Sequence, residues 1–455
     1  MTSRGSGPRH AMRGQDAPEG VHGPFVLSAL WLAVLAGFTL AVALPVEAAL
    51  GRLSLGWIAH AQVHGHIQVV GFAGLFVIGV ATRLAPGFGG RPLAAGRLIS
   101  VAFWLLLVGL VGRAIGQPLA NHPPFALLMT LGAVAEALGA LAALAVVAGT
   151  LRPWSQGTTP SAALLTASMA WLVVQAAVGS WWLFDLGREH QRILPSDRDA
   201  LLLQLQVFGF LFSALIGVGL RTFPSFFGAR LPQGRYIWLL VGLLQGGVAM
   251  WAAGLVLGAD GGQLARFVSA AGQLAVGAAM LGMAAAAGWW KRGNRLAPAS
   301  RHFIWSLRML LGWLTVTGVL LTLTAAEALA RDEFVSTLQL DAIRHVFLIG
   351  VITLGITVMG QLILPEFASE RLVRTSAKWR GWAFGVALSV AALLRGVVPL
   401  AGLEGEPRHW LMSVAGLAGL GSVAAFGWLY LSARTSHRVY LAKIAVWRKR
   451  EVPLV

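Results

Sequence analysis

The chain has no cysteine in 455 residues. That removes disulfides, thiolate metal sites, iron–sulfur clusters and heme attached through Cys. Any metal or heme here is held by His, Met or carboxylate. Charge is scarce as well. Only 12% of residues are Asp, Glu, Lys or Arg, about half the share of an ordinary soluble protein, near 25%. Acids are the scarcer sign, with 18 Asp and Glu against 35 Lys and Arg. The first 24 residues contain no apolar core of the kind a cleaved secretion signal carries.

Apolar length is what the chain has. It is 57% hydrophobic, with a mean hydropathy of +0.72, and runs of roughly 20 apolar residues, enough to cross a hydrocarbon core, recur from end to end. The pattern predicts an all-α polytopic membrane protein with about twelve transmembrane helices, over 25–48, 57–85, 97–115, 124–150, 161–184, 200–223, 234–258, 264–289, 304–328, 341–364, 381–402 and 410–432. A polar N-terminal tail over 1–24 and a basic tail over 433–455 flank one membrane domain, 25–432. Cations gather in alternate connections: Arg83, Arg91 and Arg97; Arg221, Arg230 and Arg235; Lys291, Arg292, Arg295 and Arg301; Arg371, Arg374, Lys378 and Arg380. The other connections hold acids such as Asp185, Asp260, Asp332 and Glu404. The positive-inside rule then places both termini in the cytoplasm. The net charge of +17 reads as topology and lipid attraction, and nucleic acid is excluded as a partner.

Three segments resemble one another: "HIQVVGFAGLFVIGVATRLAPGF", "QLQVFGFLFSALIGVGLRTFPSF" and "HVFLIGVITLGITVMGQLILPEF". Aligned on Gly71, Gly209 and Gly350, each has Pro fifteen residues on (Pro86, Pro224, Pro365) and Phe two further (Phe88, Phe226, Phe367). Five residues before each Gly stand His66, Gln204 and His345. The spacing, one recurrence per four helices, predicts a pseudo-threefold repeat near 25–150, 161–289 and 304–432, with its axis along the membrane normal.

His66 and His345 would then stand at one depth on two helices of the same direction. Two neutral imidazoles so placed suit a bis-His heme iron. The other reading is that each hydrogen-bonds to a neighbouring helix. His60 and His64 are an i, i+4 pair and share a helix face, from which His66 is turned about 200°. They fit a metal grip, copper above all, completed by His122, His190 or His409, or else a wet interface. Arg113, Arg266, Arg344 and Arg395 fall near the outer ends of their spans, placed either to hold heme propionates or to snorkel. Glu136 lies deepest in an apolar run, as a proton or ligand site or as a satisfied interhelical hydrogen bond.

"HGHIQVVGF", "GLRTFPSFFGARL" and "RHVFLIGVITLGITVMGQLI" resemble the H-x-H, Arg–Pro–Phe and later His segments of the NnrS family across most of the chain. The resemblance implies a bacterial inner-membrane protein containing heme, as heme b, and copper, linked to nitric oxide, with an electron-transfer protein as a further partner. The pattern also resembles subunit I of heme–copper oxidases and nitric oxide reductases, twelve helices with pseudo-threefold symmetry. That resemblance implies low-spin heme ligands at His66 and His345. This chain departs from it at Ile343, at Gln204 and in the seventh span, which has no His. The implied function is electron transfer or nitric oxide response. Its alternatives are a catalytic oxidase or reductase and, third, a cofactor-free transporter.

Overall fold

The computed structural model describes residues 20–155, 157–227, 234–258, 261–288, 303–367 and 379–451, with side chains described over 20–155, 157–225, 234–258, 261–288, 303–364 and 381–435. Among these residues every regular element is helical. Twelve helices are long and apolar enough to cross a membrane: α1 (His22–Ala49), α2 (Trp57–Gly89), α3 (Gly96–Leu119), α4 (Pro123–Leu151), α5 (Pro160–Arg188), α6 (Ser196–Ser225), α7 (Arg235–Leu257), α8 (Gly262–Ala287), α9 (Ile304–Arg331), α10 (Thr337–Leu364), α11 (Gly381–Leu400) and α12 (Gly405–Thr435). The helix of α12 continues in backbone to Glu451, through the stretch expected as a basic tail. Of the expected polar tail, residues 1–19 lie outside the described residues, as do Pro365 and Phe226, Phe367 as side chains, and the cationic connections at 230, 291–301 and 371–378.

Local chemistry sets the helix ends. Thr159 accepts from the Ala162 N–H while Pro160 opens α5, and Pro123 opens α4, where a missing N–H costs nothing. Ser336 and Gln339 form a reciprocal capping box at the start of α10. Gly90, at φ 62°, stops α2.

Burial separates the helices into two classes. Within their most apolar stretch α2, α6 and α10 are buried at 78%, 83% and 94% of positions, against 39–56% in the others. These three therefore make the interior, and the rest carry lipid-facing side chains such as Trp104, Leu131 and Trp181. Large rings fill the centre: Phe208 lies 5.3 Å from Trp251 and 5.6 Å from Phe347 by ring centroid.

Each interior helix contains a π-helical stretch: Ile67–Gly74, Leu205–Phe212 and Leu348–Thr353. All three end three residues past Gly71, Gly209 and Gly350. Those glycines sit against α1, α5 and α9. A Cβ on Gly209 would lie 2.8 Å from the Trp171 ring, one on Gly350 2.6 Å from the Trp313 ring, and one on Gly71 3.3 Å from Leu32. Trp171 donates to Gln245 (2.7 Å) and Trp313 to Ser389 (2.9 Å), tying α5 to α7 and α9 to α11. Two further π-helical stretches are Ala33–Gly37 in α1, which ends just before the cavity described next, and Leu393–Val397 in α11, which gives that cavity Arg395.

Candidate functional site: a cavity with two free imidazole nitrogens

A cavity of about 720 Å³ lies among α1, α2, the start of α6, α10, α11 and α12, within the 300–1,000 Å³ range of small-molecule and cofactor sites. Its wall is mostly apolar, with Phe38, Leu44, Phe72, Leu203 and Ile349 among its residues. Two histidines line it, His64 on α2 and His345 on α10, with His409 at the start of α12.

The two imidazoles are held alike. His64 Nδ1 lies 2.8 Å from the Gly37 carbonyl, and His345 Nδ1 lies 2.8 Å from the Asp341 carbonyl. A carbonyl only accepts, so each Nδ1 carries the proton and each Nε2 keeps a lone pair. Neither Nε2 has a hydrogen-bond partner among the described residues. This tautomer, fixed from behind by a backbone oxygen, is how ligating histidines are commonly oriented. Asp341 adds a carboxylate behind His345, with Oδ1 3.3 Å from Nδ1, while its Oδ2 binds Arg395 Nη2 at 2.9 Å.

Arg344, Arg395 and Arg408 also line the cavity. Each has a buried guanidinium nitrogen with no partner among the described residues: Nε of Arg344, Nη1 of Arg395 and Nε of Arg408. Unsatisfied buried donors are costly, and three around one cavity mark where an anionic group belongs. A guanidinium suits a carboxylate through its planar fork of donors.

His66, expected as the partner of His345, is placed elsewhere. Its Nε2 lies 2.8 Å from Glu136 Oε2. Its Nδ1 lies 3.3 Å from Gln206 Nε2, which only donates, so Nδ1 accepts and Nε2–H donates to Glu136. Both ring nitrogens are engaged and the ring is outside the cavity wall, so the structure brings His345 together with His64 and not with His66. Gln175 closes the ring, donating to Glu136 Oε1 (3.4 Å) and accepting from Gln206 (2.8 Å). Glu136 does make the interhelical hydrogen bond that is one of its two readings.

The remaining expected residues fall apart. His60 turns its Nδ1 to the Gly56 carbonyl at 3.1 Å and is not in the cavity wall. Among the described residues no three His, Cys, Asp or Glu side chains gather as a metal-binding group, and of His122, His190 and His409 it is His409 that shares the cavity wall with His64. Arg113 is buried and donates to Gln117 (3.0 Å), which continues through Gln62 (2.9 Å). Arg266 makes a two-pronged pair with Asp332, at 2.9 and 2.8 Å. Of the four arginines, Arg344 and Arg395 reach the cavity.

Sequence reasoning missed Asp341 and Arg408, while His409, named there as a possible metal ligand, does stand in the cavity wall. Asp341 had a signal, since it stands four residues before His345 and shares its helix face.

Comparison with known proteins finds neither a matching family model nor a matching curated protein.

Proposed function

We propose that the chain is a multi-pass membrane hemoprotein, in which His64 and His345 would hold a heme b in the 720 Å³ cavity. The observation that carries the reading is the pair of unpartnered Nε2 atoms facing one cavity, each fixed by an Nδ1–H···O=C bond of 2.8 Å. His64 replaces His66 in this assignment because both nitrogens of His66 are occupied. Arg344, Arg395 and Arg408 hold the propionates, Asp341 orients His345, and the apolar wall excludes water. When bound, the heme iron supplies one-electron redox chemistry. Electron transfer or a response to nitric oxide, of the kind the NnrS resemblance implies, is the function that chemistry serves.

The same reading takes the helices as three four-helix units about an axis along the membrane normal. Support comes from the matched π-helical stretches and from the Gly209–Trp171 and Gly350–Trp313 contacts. By the charge pattern both termini are cytoplasmic and the cavity lies towards the outer face of a bacterial inner membrane.

The test is a redox difference spectrum of the purified protein. A six-coordinate b-type spectrum is expected in the wild type and in His66→Gln, and its loss in His64→Ala and His345→Ala. A colourless wild type expressed with ample heme overturns the reading. It would favour an organic-anion carrier, to which the three unpartnered guanidinium nitrogens also point.

A further inference from the structure

A second cavity, of about 70 Å³, lies where α2, α6 and α10 converge. It is walled by Val77, Val80, Ala214, Val218, Ile352 and Ile356 among others. About 15 Å³ is room for one water, but a buried water needs two to four polar partners. The one side-chain hydroxyl in this wall, on Thr222, already donates to the Val218 carbonyl of its own helix at 3.1 Å. Its oxygen can still accept, but one such partner is short of what a buried water needs, so a site of this kind stays dry and takes small apolar guests.

Its position relates it to the first cavity. Phe72 and Ala73 line the larger cavity, and Phe76 and Val77, one helical turn further along α2, line the smaller. On α10, Ile352 stands in both walls, and Gly355 and Ile356 continue into the smaller one. A single isoleucine side chain is thus common to the two spaces.

We propose that this apolar cavity is a binding site for a small apolar molecule of diatomic-gas size, exchanging with the larger cavity past Ile352. The ligand class follows from size and from the scarcity of hydrogen-bonding groups in the wall, and it holds whether or not the larger cavity takes heme. Between α2, α6 and α10 such a molecule lies one helical turn along α2 from the wall of the larger cavity.

Xenon is the probe, because it reports the site without any colour or activity. Wild-type crystals pressurised with xenon are expected to show an anomalous peak enclosed by Val77, Val218 and Ile356, rising to saturation with pressure. Val218→Phe, which puts a ring into the space, is expected to abolish that peak while leaving the larger cavity and any heme spectrum unchanged. Wild-type maps with no peak there, or with xenon in the larger cavity alone, overturn the proposal. So does a peak at the same place in Val218→Phe. If Val218→Phe fails to fold, the wild-type map decides alone. Loss of the heme spectrum with xenon retained would sink the cofactor reading and leave this one standing.

Discussion

His66 on α2 and Glu136 on α4 meet at 2.8 Å, their side chains 3% and 4% exposed, and Gln175 and Gln206 close the contact into a ring. Four helices, α2, α4, α5 and α6, are tied by it. Glu136→Leu should leave the His66 N–H and a Gln175 amide unpaired and destabilise the protein by roughly 1–3 kcal/mol, the penalty for an orphaned buried group. Glu136→Gln keeps an acceptor at the same place and should cost under about 1 kcal/mol, near the mean for interhelical hydrogen bonds in membranes. Denaturant titration in detergent separates the two. Equal losses in both variants would mean that the ring contributes charge and not hydrogen-bond closure.

Arg344 and Arg408 bring positive charge to the wall of the larger cavity, with no carboxylate bonded to either among the described residues. Positive charge near an iron favours its reduced form. Arg344→Gln and Arg408→Gln should each lower the midpoint potential of a bound heme by on the order of 60 mV, a tenfold change for a one-electron couple. Arg395→Gln should differ, because it also frees Asp341, whose Oδ2 it binds at 2.9 Å, and should loosen His345. Potentiometric titration of the three variants checks this, and an unchanged potential in Arg344→Gln and Arg408→Gln counts against propionates at these residues.

The spans were legible because apolar length is a strong signal. Which histidine of α2 shares a cavity wall with His345, His64 and not His66, was not, and the reason is local. The π-helical stretch of α2 has 8 residues and that of α10 has 6. Counting back from Gly71 and Gly350 therefore slips by two residues and pairs His345 with His66. Counted from where each stretch begins, at Ile67 and Leu348, His64 and His345 both stand three residues ahead. A change of helical pitch leaves no mark in apolar sequence. The Gly37 carbonyl behind His64, 27 positions away, is equally invisible before folding.

The glycine contacts give a graded expectation. A methyl at Gly350 or Gly209 would stand 2.6 or 2.8 Å from an indole ring that is itself fixed by a hydrogen bond. Gly350→Ala and Gly209→Ala should each cost ~1–3 kcal/mol, as overpacked cores do. At Gly71 the nearest atom is a Leu32 methyl at 3.3 Å, the movable end of a side chain. Gly71→Ala should be close to neutral, since Ala gains about 0.5–1 kcal/mol over Gly in a helix. Melting the three variants side by side tests the order, and a loss at Gly71 as large as at Gly350 would contradict it.

Arg266 and Asp332 supply a pH test at the protein surface. The guanidinium on α8 donates twice to the carboxylate that follows α9, at 2.9 and 2.8 Å, and this holds the Asp332 carboxyl below its ordinary value. A carboxyl depressed in the folded state adds stability above its unfolded value, about 3.9, and loses it as pH falls through the folded value. The contribution should therefore be flat from pH 5 to 8 and vanish in acid. The Arg266 side chain is 27% exposed and that of Asp332 50%, so salt should weaken it too. Arg266→Gln should melt slightly below wild type at neutral pH, with the gap closing below about pH 4 and in high salt. A gap that persists in acid would show that Arg266 acts through packing of its side-chain stem and not through its charge.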